Sequence, residues 1–311
     1  MTVGTDAGTG VESKAPADSF DLDAIPFNQL GRPIAGPRAF TGHWRRFCYL
    51  TLNIAIMNWK LRFFGSALGY LWQLVRPLLL FLVLYLFFTK VARVADQPGA
   101  SYHQYGAQLL GSIVLFTFFG EATMNSVRSV VDGEVMVRKI QFPRLVIPLS
   151  SVLLALFNLS LNLIVVLIFA LFAGVRPMLT WLEVPLILGL LLVLCTGIAM
   201  LLSALFVYFR DIQPIWEVLN QVIFYASPII ITVVQVKEHL SPTLLHIYML
   251  NPLAVIFQQF KHTAINHSTP SVGALLGSRV DLAIPIAIVF AIFGLGLWVF
   301  NRIAPKVAED L

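Results

Sequence analysis

The sequence Tyr-Phe-Arg-Asp-Ile-Gln-Pro-Ile-Trp-Glu-Val-Leu-Asn-Gln-Val-Ile-Phe-Tyr-Ala-Ser-Pro, residues 208–228, separates two long apolar stretches of the chain. The first stretch runs from Val184 to Phe209, and the second is uncharged from Val218 to Val236. Arg210-Asp211 is therefore predicted to be a short polar hinge between two membrane-crossing helices. We expect Asp211 to cap the second helix, whose first turn tolerates Pro214.

The dipeptide Ser227-Pro228 is predicted to break the second helix near its far end, because proline lacks a backbone N–H. The backbone groups that such a break frees need partners inside the protein or in a water-filled cavity. A polar turn at one face of the membrane and a broken helix at the other indicate a conduit. We expect an inner coupling side and an outer gate.

The composition places the whole chain in a membrane. Of its 311 residues, 58% are hydrophobic and only 12% are charged, whereas soluble domains carry about 25% charged residues. The mean hydropathy is +0.82. The formal charge of +5 is better interpreted as a topology signal than as a sign of nucleic-acid binding. We therefore predict an all-α polytopic membrane protein without a nucleic-acid partner.

Sequence patterns for several kinds of chemistry are missing from the chain. No Walker A pattern and no His-Glu-x-x-His or other metal-ligand spacing occurs in the sequence. Cys48 and Cys195 do not form a disulfide framework. No catalytic residue, metal or cofactor is therefore expected in this chain. If transport is active, its energy must come from a partner or from an ion gradient.

The chain divides into a tail and one membrane domain. Residues 1–40 are rich in Gly, Ala, Pro, Ser and Asp, which predicts a disordered tail. Residues 41–311 are predicted to form the transmembrane domain. It begins with a helix over 43–64 that either lies in the membrane surface or packs on the protein as a cytosolic helix. Six spans are then predicted over about 69–90, 104–126, 144–173, 184–209, 213–235 and 282–301, with a gate segment over 236–280.

Lysine and arginine positions predict the orientation of these spans. Of the 21 basic residues, 15 fall on the side that holds both predicted termini and 6 on the other side. The positive-inside rule then places both termini, residues 127–144 and Arg210 in the cytoplasm.

Glu121 is an ionisable residue near the inner end of the second predicted span. One interpretation makes it a functional contact. The other pairs it with Arg128, which lies seven positions on and on the same helix face. Both interpretations of Glu121 place it at the inner boundary of the membrane.

Further along the chain, Asn158 and Asn162 could form hydrogen bonds across helices.

Two helix-start signals lie between the last two predicted spans. In Ser241-Pro242 and in Asn251-Pro252, a capping side chain precedes a proline at the first helical position. Both helices are too short to span a membrane fully. We interpret them as outer or re-entrant helices over the mouth of a path. The alternative is a small packed cap without a gating function.

Four sequence segments resemble the ABC-2 type permeases that export polysaccharides, including O-antigen and teichoic-acid exporters. The segments are Gly65–Trp72 with Pro77, Arg138–Arg144 with Pro148, Tyr208–Ile212 with Ser227–Ile229, and Asn251-Pro252. They occur in order within a matching six-span layout, and the resemblance covers residues 43–303. The closest resemblance is to the galactan exporters of mycobacterial cell walls.

The resemblance implies how such a subunit works. It implies a homodimer of this chain in a bacterial inner membrane, with two copies of an ABC ATPase that holds ATP and Mg. It also implies that residues 127–139 form a coupling helix in a groove of that ATPase. The coupling residues would be Arg128, Asp132, Glu134, Arg138 and Lys139. The inner hinge would be Arg210 and Asp211.

The substrate that the resemblance implies is a lipid-linked glycan, which crosses a channel partly lined by aromatic rings. Rings suit this role because apolar sugar faces can stack on them. The channel-lining residues would be Trp72, Phe116, Phe119, Glu121, Tyr208, Trp216, Phe224 and Tyr225. The outer gate would consist of Ser227, Pro228, Tyr248, Asn251, Pro252, Phe257 and Phe260. Two alternatives are a permease for a small drug or lipid and a membrane-embedded glycosyltransferase, although the short inner loops offer no acidic metal-binding motif for the latter.

Overall fold

The computed structural model describes residues 44–64, 69–91, 102–133, 143–176, 178–233, 236, 241–267, 269–277 and 279–303. Within these ranges the chain forms helices joined by turns, and none of the described residues belongs to a strand. The predicted all-α class is therefore confirmed. The predicted tail over residues 1–40 lies outside the described ranges.

The helices follow one another in the order that the sequence predicts. In the described ranges they are α1 (Trp44–Phe63), α2 (Gly69–Leu86), α3 (Tyr102–Val127), α4 (Ser129–Asp132), α5 (Val146–Phe172), α6 (Val184–Tyr208), α7 (Ile212–Ala226), α8 (Pro242–Met249), α9 (Pro252–Ala264), α10 (Val272–Leu276) and α11 (Arg279–Ile303). A π-helical turn, Phe87–Val91, extends α2, and a 3-10 helix, Leu179–Glu183, leads into α6. The short helix α10 was not predicted.

In the described part of the chain, five helical segments are long and apolar enough to cross a membrane. They are Leu71–Val91, Gln104–Val127, Val146–Phe172, Leu179–Tyr208 and Asp281–Ile303. An α-helix bonds its backbone N–H and C=O groups within the segment, which is what a bilayer requires of a spanning structure. The protein is therefore a multi-pass membrane protein.

The predicted span over residues 213–235 has a different structure. Its helix, α7, ends at Ala226 after 15 residues. At about 1.5 Å per residue it is about 22 Å long, which is shorter than the ~30 Å hydrocarbon core. The chain turns extended at Ser227, and Pro228 cannot continue the ladder of backbone hydrogen bonds. The predicted break lies inside the predicted span, because residues 227–232 are not helical, whereas Val233 and Val236 are helical again.

The capping bond that the sequence predicts from Asp211 to the start of α7 is wrong. Asp211 occupies the N-cap position, but its backbone is helical, with φ −69° and ψ −12°. A capping residue normally has an extended backbone that turns its side chain towards the first free N–H groups. The Asp211 side chain accepts no capping bond among the described groups. Pro214 does lie in the first turn, as predicted.

Helix α3 lies at the centre of the fold. It packs against α5, α6, α2, α7 and α9. Most of its apolar side chains are buried, including Leu109, Leu115 and Phe119. In contrast, α2 leaves Leu79 and Val83 more than half exposed. A helix that is apolar and exposed in a membrane protein faces lipid or another subunit.

The helix ends form two groups, as the topology prediction requires. At one end, here called the α1 end, Phe47 packs with Val146, Met200 and Phe300. At the opposite end, here called the α9 end, Val233 of the interrupted segment packs with residues of α8, α9 and α10. The α1 end thus holds described residues of the segments predicted to be cytoplasmic, such as Val130 and Leu145, and the α9 end holds the predicted outer helices.

Candidate functional site

Helices α2, α3 and α7 border a polar groove, here called the central groove, with a volume of about 520 Å³. Its walls carry two arginines, two glutamates, side-chain amides and aromatic rings. The lining residues are Arg62, Gln73, Arg76, Pro77, Leu80, Phe116, Thr117, Gly120, Glu121, Met124, Asn125, Glu217, Asn220, Gln221, Phe224 and Tyr225. Ionisable groups at membrane depth are costly unless they face water or a polar partner. The central groove is therefore suited to water and to a polar ligand.

Glu121 is held in the wall of this groove by side chains from two other helices. Arg62, near the end of α1, forms a salt bridge with its Oε1 at 2.5 Å. Asn158 on α5 donates its Nδ2–H to the same oxygen at 2.9 Å, and Trp59 donates its indole N–H to Asn158 Oδ1 at 3.2 Å. The network joins α1, α3 and α5. The predicted bond across helices is thereby confirmed for Asn158, whereas Asn162 bonds within α5, from its Nδ2–H to the carbonyl oxygen of Asn158 at 2.9 Å.

The predicted pairing of Glu121 with Arg128 is wrong. The guanidinium of Arg128 lies over the ring of Phe206 instead, 5.9 Å from its centroid. The salt bridge of Glu121 is formed with Arg62, which precedes it by 59 residues. Helical periodicity reveals only partners on the same helix, so it could not identify this contact.

We expect Glu121→Ala to destabilise the protein by about 2 kcal/mol, because hydrogen bonds to a charged group contribute about 1.5–3 kcal/mol. Glu217→Ala is the matched control, since Glu217 is exposed. Among the described groups its carboxylate is bonded to Gln213, at 3.0 Å and one turn away. Such an i,i+4 pair contributes less than about 0.5 kcal/mol. Thermal unfolding in detergent measures both effects, and equal losses in the two variants would contradict the network's role.

The aromatic wall of the central groove consists of Phe116, Phe224 and Tyr225. The Phe116 and Phe224 rings meet edge to face, with their centroids 5.0 Å apart. Tyr225 packs on Phe224 at 5.3 Å and leaves 68% of its own surface exposed. Rings arranged in this way offer apolar faces beside hydrogen-bonding groups, which is the combination that sugars require.

The eight residues predicted to line a channel therefore separate into two groups. Phe116, Glu121, Phe224 and Tyr225 line the central groove. The other four are elsewhere in the described structure: Phe119 and Trp216 are buried in the core, and Trp72 and Tyr208 are about half exposed outside the groove. Trp216 is fixed by a bond from its indole N–H to Thr123 Oγ1 at 3.0 Å. A channel role stays a prediction for all eight.

The break after α7 is held by a lysine that sequence reasoning missed. Lys261 on α9 is only 2% exposed, and its ammonium donates to the carbonyl oxygens of Pro228 and Ile229. Tyr105 on α3 donates its hydroxyl to the carbonyl oxygen of Ile230 at 3.1 Å. The freed backbone groups thus have partners inside the protein, as the sequence predicts.

The burial of Lys261 has an electrostatic consequence. Removing the ammonium from water disfavours its charged form, and burial lowers the pKa of Lys261 to about 7. Lys261 is one of the six basic residues that the orientation prediction places on the outer side. Its position four residues after Phe257, on the apolar face of α9, was the signal that could have revealed its burial.

The predicted outer helices begin as the sequence indicates. Ser241 accepts from the N–H of Leu244 at 3.4 Å, and Asn251 accepts from the N–H of Leu253 at 3.0 Å. In α9, Phe257 and Phe260 are buried. A Cβ at Gly111 on α3 would lie 2.7 Å from the Phe260 ring, so α9 packs directly against α3. A gating role for Ser227, Pro228, Tyr248, Asn251, Pro252, Phe257 and Phe260 stays a prediction.

The predicted coupling segment is described only in part. Its first residues form the four-residue helix α4, which ends at Asp132. Arg128 and Asp132 are exposed, as are Arg210 and Asp211 in the turn between α6 and α7. The predicted coupling residues Glu134, Arg138 and Lys139 lie outside the described residues. Within the described part, the exposed charges of this segment lie at the α1 end.

Known proteins resemble this chain along most of its length. It is 28% identical over 263 residues to the O-antigen export system permease protein RfbA of Klebsiella pneumoniae, which covers 84% of this chain and 95% of that protein. It is 26% identical over 229 residues to the protein of the same name from Myxococcus xanthus, which covers 73% of this chain and 84% of that protein. A family model described as ABC-2 type transporter matches residues 50–264. Because this match extends over more than half of the sequence, the chain belongs to the ABC-2 type transporter family.

Proposed function

We propose that the chain is the membrane subunit of an ATP-driven exporter of a lipid-linked polysaccharide. The observation that carries the proposal is the central groove, in which aromatic rings stand beside amides and charges. Relatives named as O-antigen export permeases support a polysaccharide as the substrate. A cell-wall galactan is the polymer that we propose, following the resemblance of the sequence.

Two copies of the chain are proposed to enclose the path. Glu217 and Gln221 on α7 are exposed beside the central groove. In a bilayer such groups need a polar partner, because lipid offers none. A second copy related by a two-fold axis would bring the same polar face against itself, as isologous dimers do. The central groove would then be half of a wider channel.

ATP hydrolysis is assigned to two copies of a separate ABC ATPase, which would hold the ATP and Mg. We propose that this partner binds at the α1 end, where Arg128, Asp132 and the hinge Arg210-Asp211 are exposed and Arg128 lies over Phe206, four residues before the hinge. The proposed orientation places this end and both termini in the cytoplasm of a bacterium, with the protein in its inner membrane. The polymer would move from the cytoplasm towards the α9 end.

Reconstitution with the partner ATPase tests the substrate class. We expect a lipid-linked galactan to raise ATP hydrolysis several-fold in proteoliposomes and to be protected from added glycosidase as export into the lumen proceeds. Small amphiphilic drugs are the comparison. If drugs stimulate ATP hydrolysis and the glycolipid does not, the chain is a permease for small molecules.

A further inference from the structure

Two cavities adjoin at the connection between α5 and α6. One has a volume of about 320 Å³, and apolar residues of α5, α6 and α9 form most of its wall. The other has a volume of about 270 Å³ and carries polar groups. Trp181, Ala264 and Ile265 line both cavities. Together they form one surface that changes from apolar to polar along its length.

This surface lies at the edge of the membrane. The span of α5 ends at Phe172, and the next span begins at Leu179. Phe172 and Leu179 are each 87% exposed, and Leu182 is 78% exposed. Large apolar side chains in such a short connection remain in contact with lipid at the level where aromatic residues such as Trp181 concentrate. The polar cavity is therefore at headgroup level.

The polar cavity has the chemistry of an anion site. Arg176 and His267 line it, and no Asp or Glu occurs among its described lining residues. Asn266 donates to Gln104 Oε1 at 3.0 Å, and both of these amide side chains belong to residues that line the cavity. An arginine guanidinium binds phosphate through two parallel hydrogen bonds. A phosphate fits this set of donors.

The apolar cavity continues this site towards the bilayer interior. Ile164 and Leu167 of α5 line it and are 54% and 42% exposed, so it opens towards the acyl chains. Its opposite wall includes Phe260 of α9. A hydrocarbon chain lying there would bury apolar surface from both helices.

We propose that this surface binds one phospholipid of the adjacent leaflet, with its phosphate at Arg176 and an acyl chain along Ile164 and Leu167. The site includes the end of α9, and Thr180 already joins the connection to α9 through a bond to the Thr263 carbonyl at 3.1 Å. Lipid in this site therefore stabilises the position of the helix that carries Lys261. The inference does not depend on which substrate is exported.

Native mass spectrometry tests this site, applied to the protein with its partner ATPase after release from nanodiscs that contain phosphatidylglycerol. We expect one tightly retained phosphatidylglycerol per chain, with at least tenfold weaker retention in Arg176→Ala. Arg302→Ala is the matched control, because Arg302 is an arginine at the end of another helix, with its guanidinium 5.5 Å from the centre of the Trp298 ring. It should retain the lipid like the wild type.

A second variant keeps the proposal testable if Arg176→Ala does not fold. Ile164→Trp narrows the apolar cavity while leaving Arg176 intact, and it should also lose the lipid. Retention equal to that of the wild type in both variants would overturn the proposal, as would a wild-type chain without bound lipid. Displacement of phosphatidylglycerol by an equal concentration of a polyprenyl phosphate would overturn it too, because the site would then hold a carrier lipid.

Discussion

Gly296→Ala is expected to disrupt the contact between α6 and α11, at a cost of about 3 kcal/mol or more in stability. A Cβ at Gly296 would overlap the carbonyl oxygen of Gly197, and a Cβ at Gly197 would lie 2.6 Å from the Cα of Phe293. All of these neighbours are backbone atoms, so no side chain can rotate away. Small residues allow such close approach between helices in membranes.

Two other glycines provide matched controls for this contact. Gly294 lies on α11 and Gly189 on α6, and a Cβ at either position would meet nothing within 4 Å. Alanine is the better helix former by about 1 kcal/mol, so Gly294→Ala and Gly189→Ala should be neutral or slightly stabilising. The thermal unfolding temperature in detergent distinguishes Gly296→Ala from the two control variants. If Gly296→Ala unfolds at the same temperature as Gly294→Ala, Gly296 does not lie against the backbone of Gly197.

Lys261→Met is expected to release the segment that follows α7 and to reduce export at least tenfold while the protein still inserts. The substitution leaves the buried carbonyl groups of Pro228 and Ile229 without their donor, which costs about 1–3 kcal/mol. Lys90→Met, at an exposed lysine, is the control. Unimpaired export by Lys261→Met would show that the lysine does not anchor this segment.

The lowered pKa of Lys261 also predicts a pH dependence. The folded pKa of about 7 lies below the ordinary value of 10.5, so the unfolded chain binds more protons between these pH values. Stability should therefore rise with pH in this window, because unfolding then requires the uptake of a proton. The unfolding temperature measured from pH 7 to pH 9 should rise more steeply for the wild type than for Lys261→Met. Equal slopes would contradict the burial of the lysine's charge.

The long helices were predictable from the sequence because their apolar runs are continuous. The predicted spans 144–173 and 184–209 correspond closely to α5 (Val146–Phe172) and α6 (Val184–Tyr208). The short helix α10 had recognisable signals that the prediction missed. Ser271 caps it through a bond from the N–H of Ala274, and Gly277 ends it with a φ of 71°. A serine before the helix and a left-handed glycine after it are common boundary residues.

The candidate site was only partly predictable, because its decisive contacts join distant parts of the chain. Glu121 was identified as important, but its partner Arg62 lies on another helix. Lys261 was recognisable as a lysine on an apolar face, whereas its bonds to Pro228 and Ile229 depend on how α9 meets the segment that follows α7. The approach of Gly197 to Gly296 likewise depends on how two helices cross. Local patterns predict helices, but they contain no information on these crossings.

Glycolipid-stimulated ATP hydrolysis in a variant with a blocked groove tests the central claim, that the polysaccharide passes through the central groove. Thr117→Trp places an indole in the groove, and Leu295→Trp places one on the exposed face of α11, away from it. We predict that Thr117→Trp abolishes the stimulation by lipid-linked galactan and its export, while Leu295→Trp leaves both unchanged and both variants still bind the ATPase. Full stimulation and export by Thr117→Trp would contradict the claim.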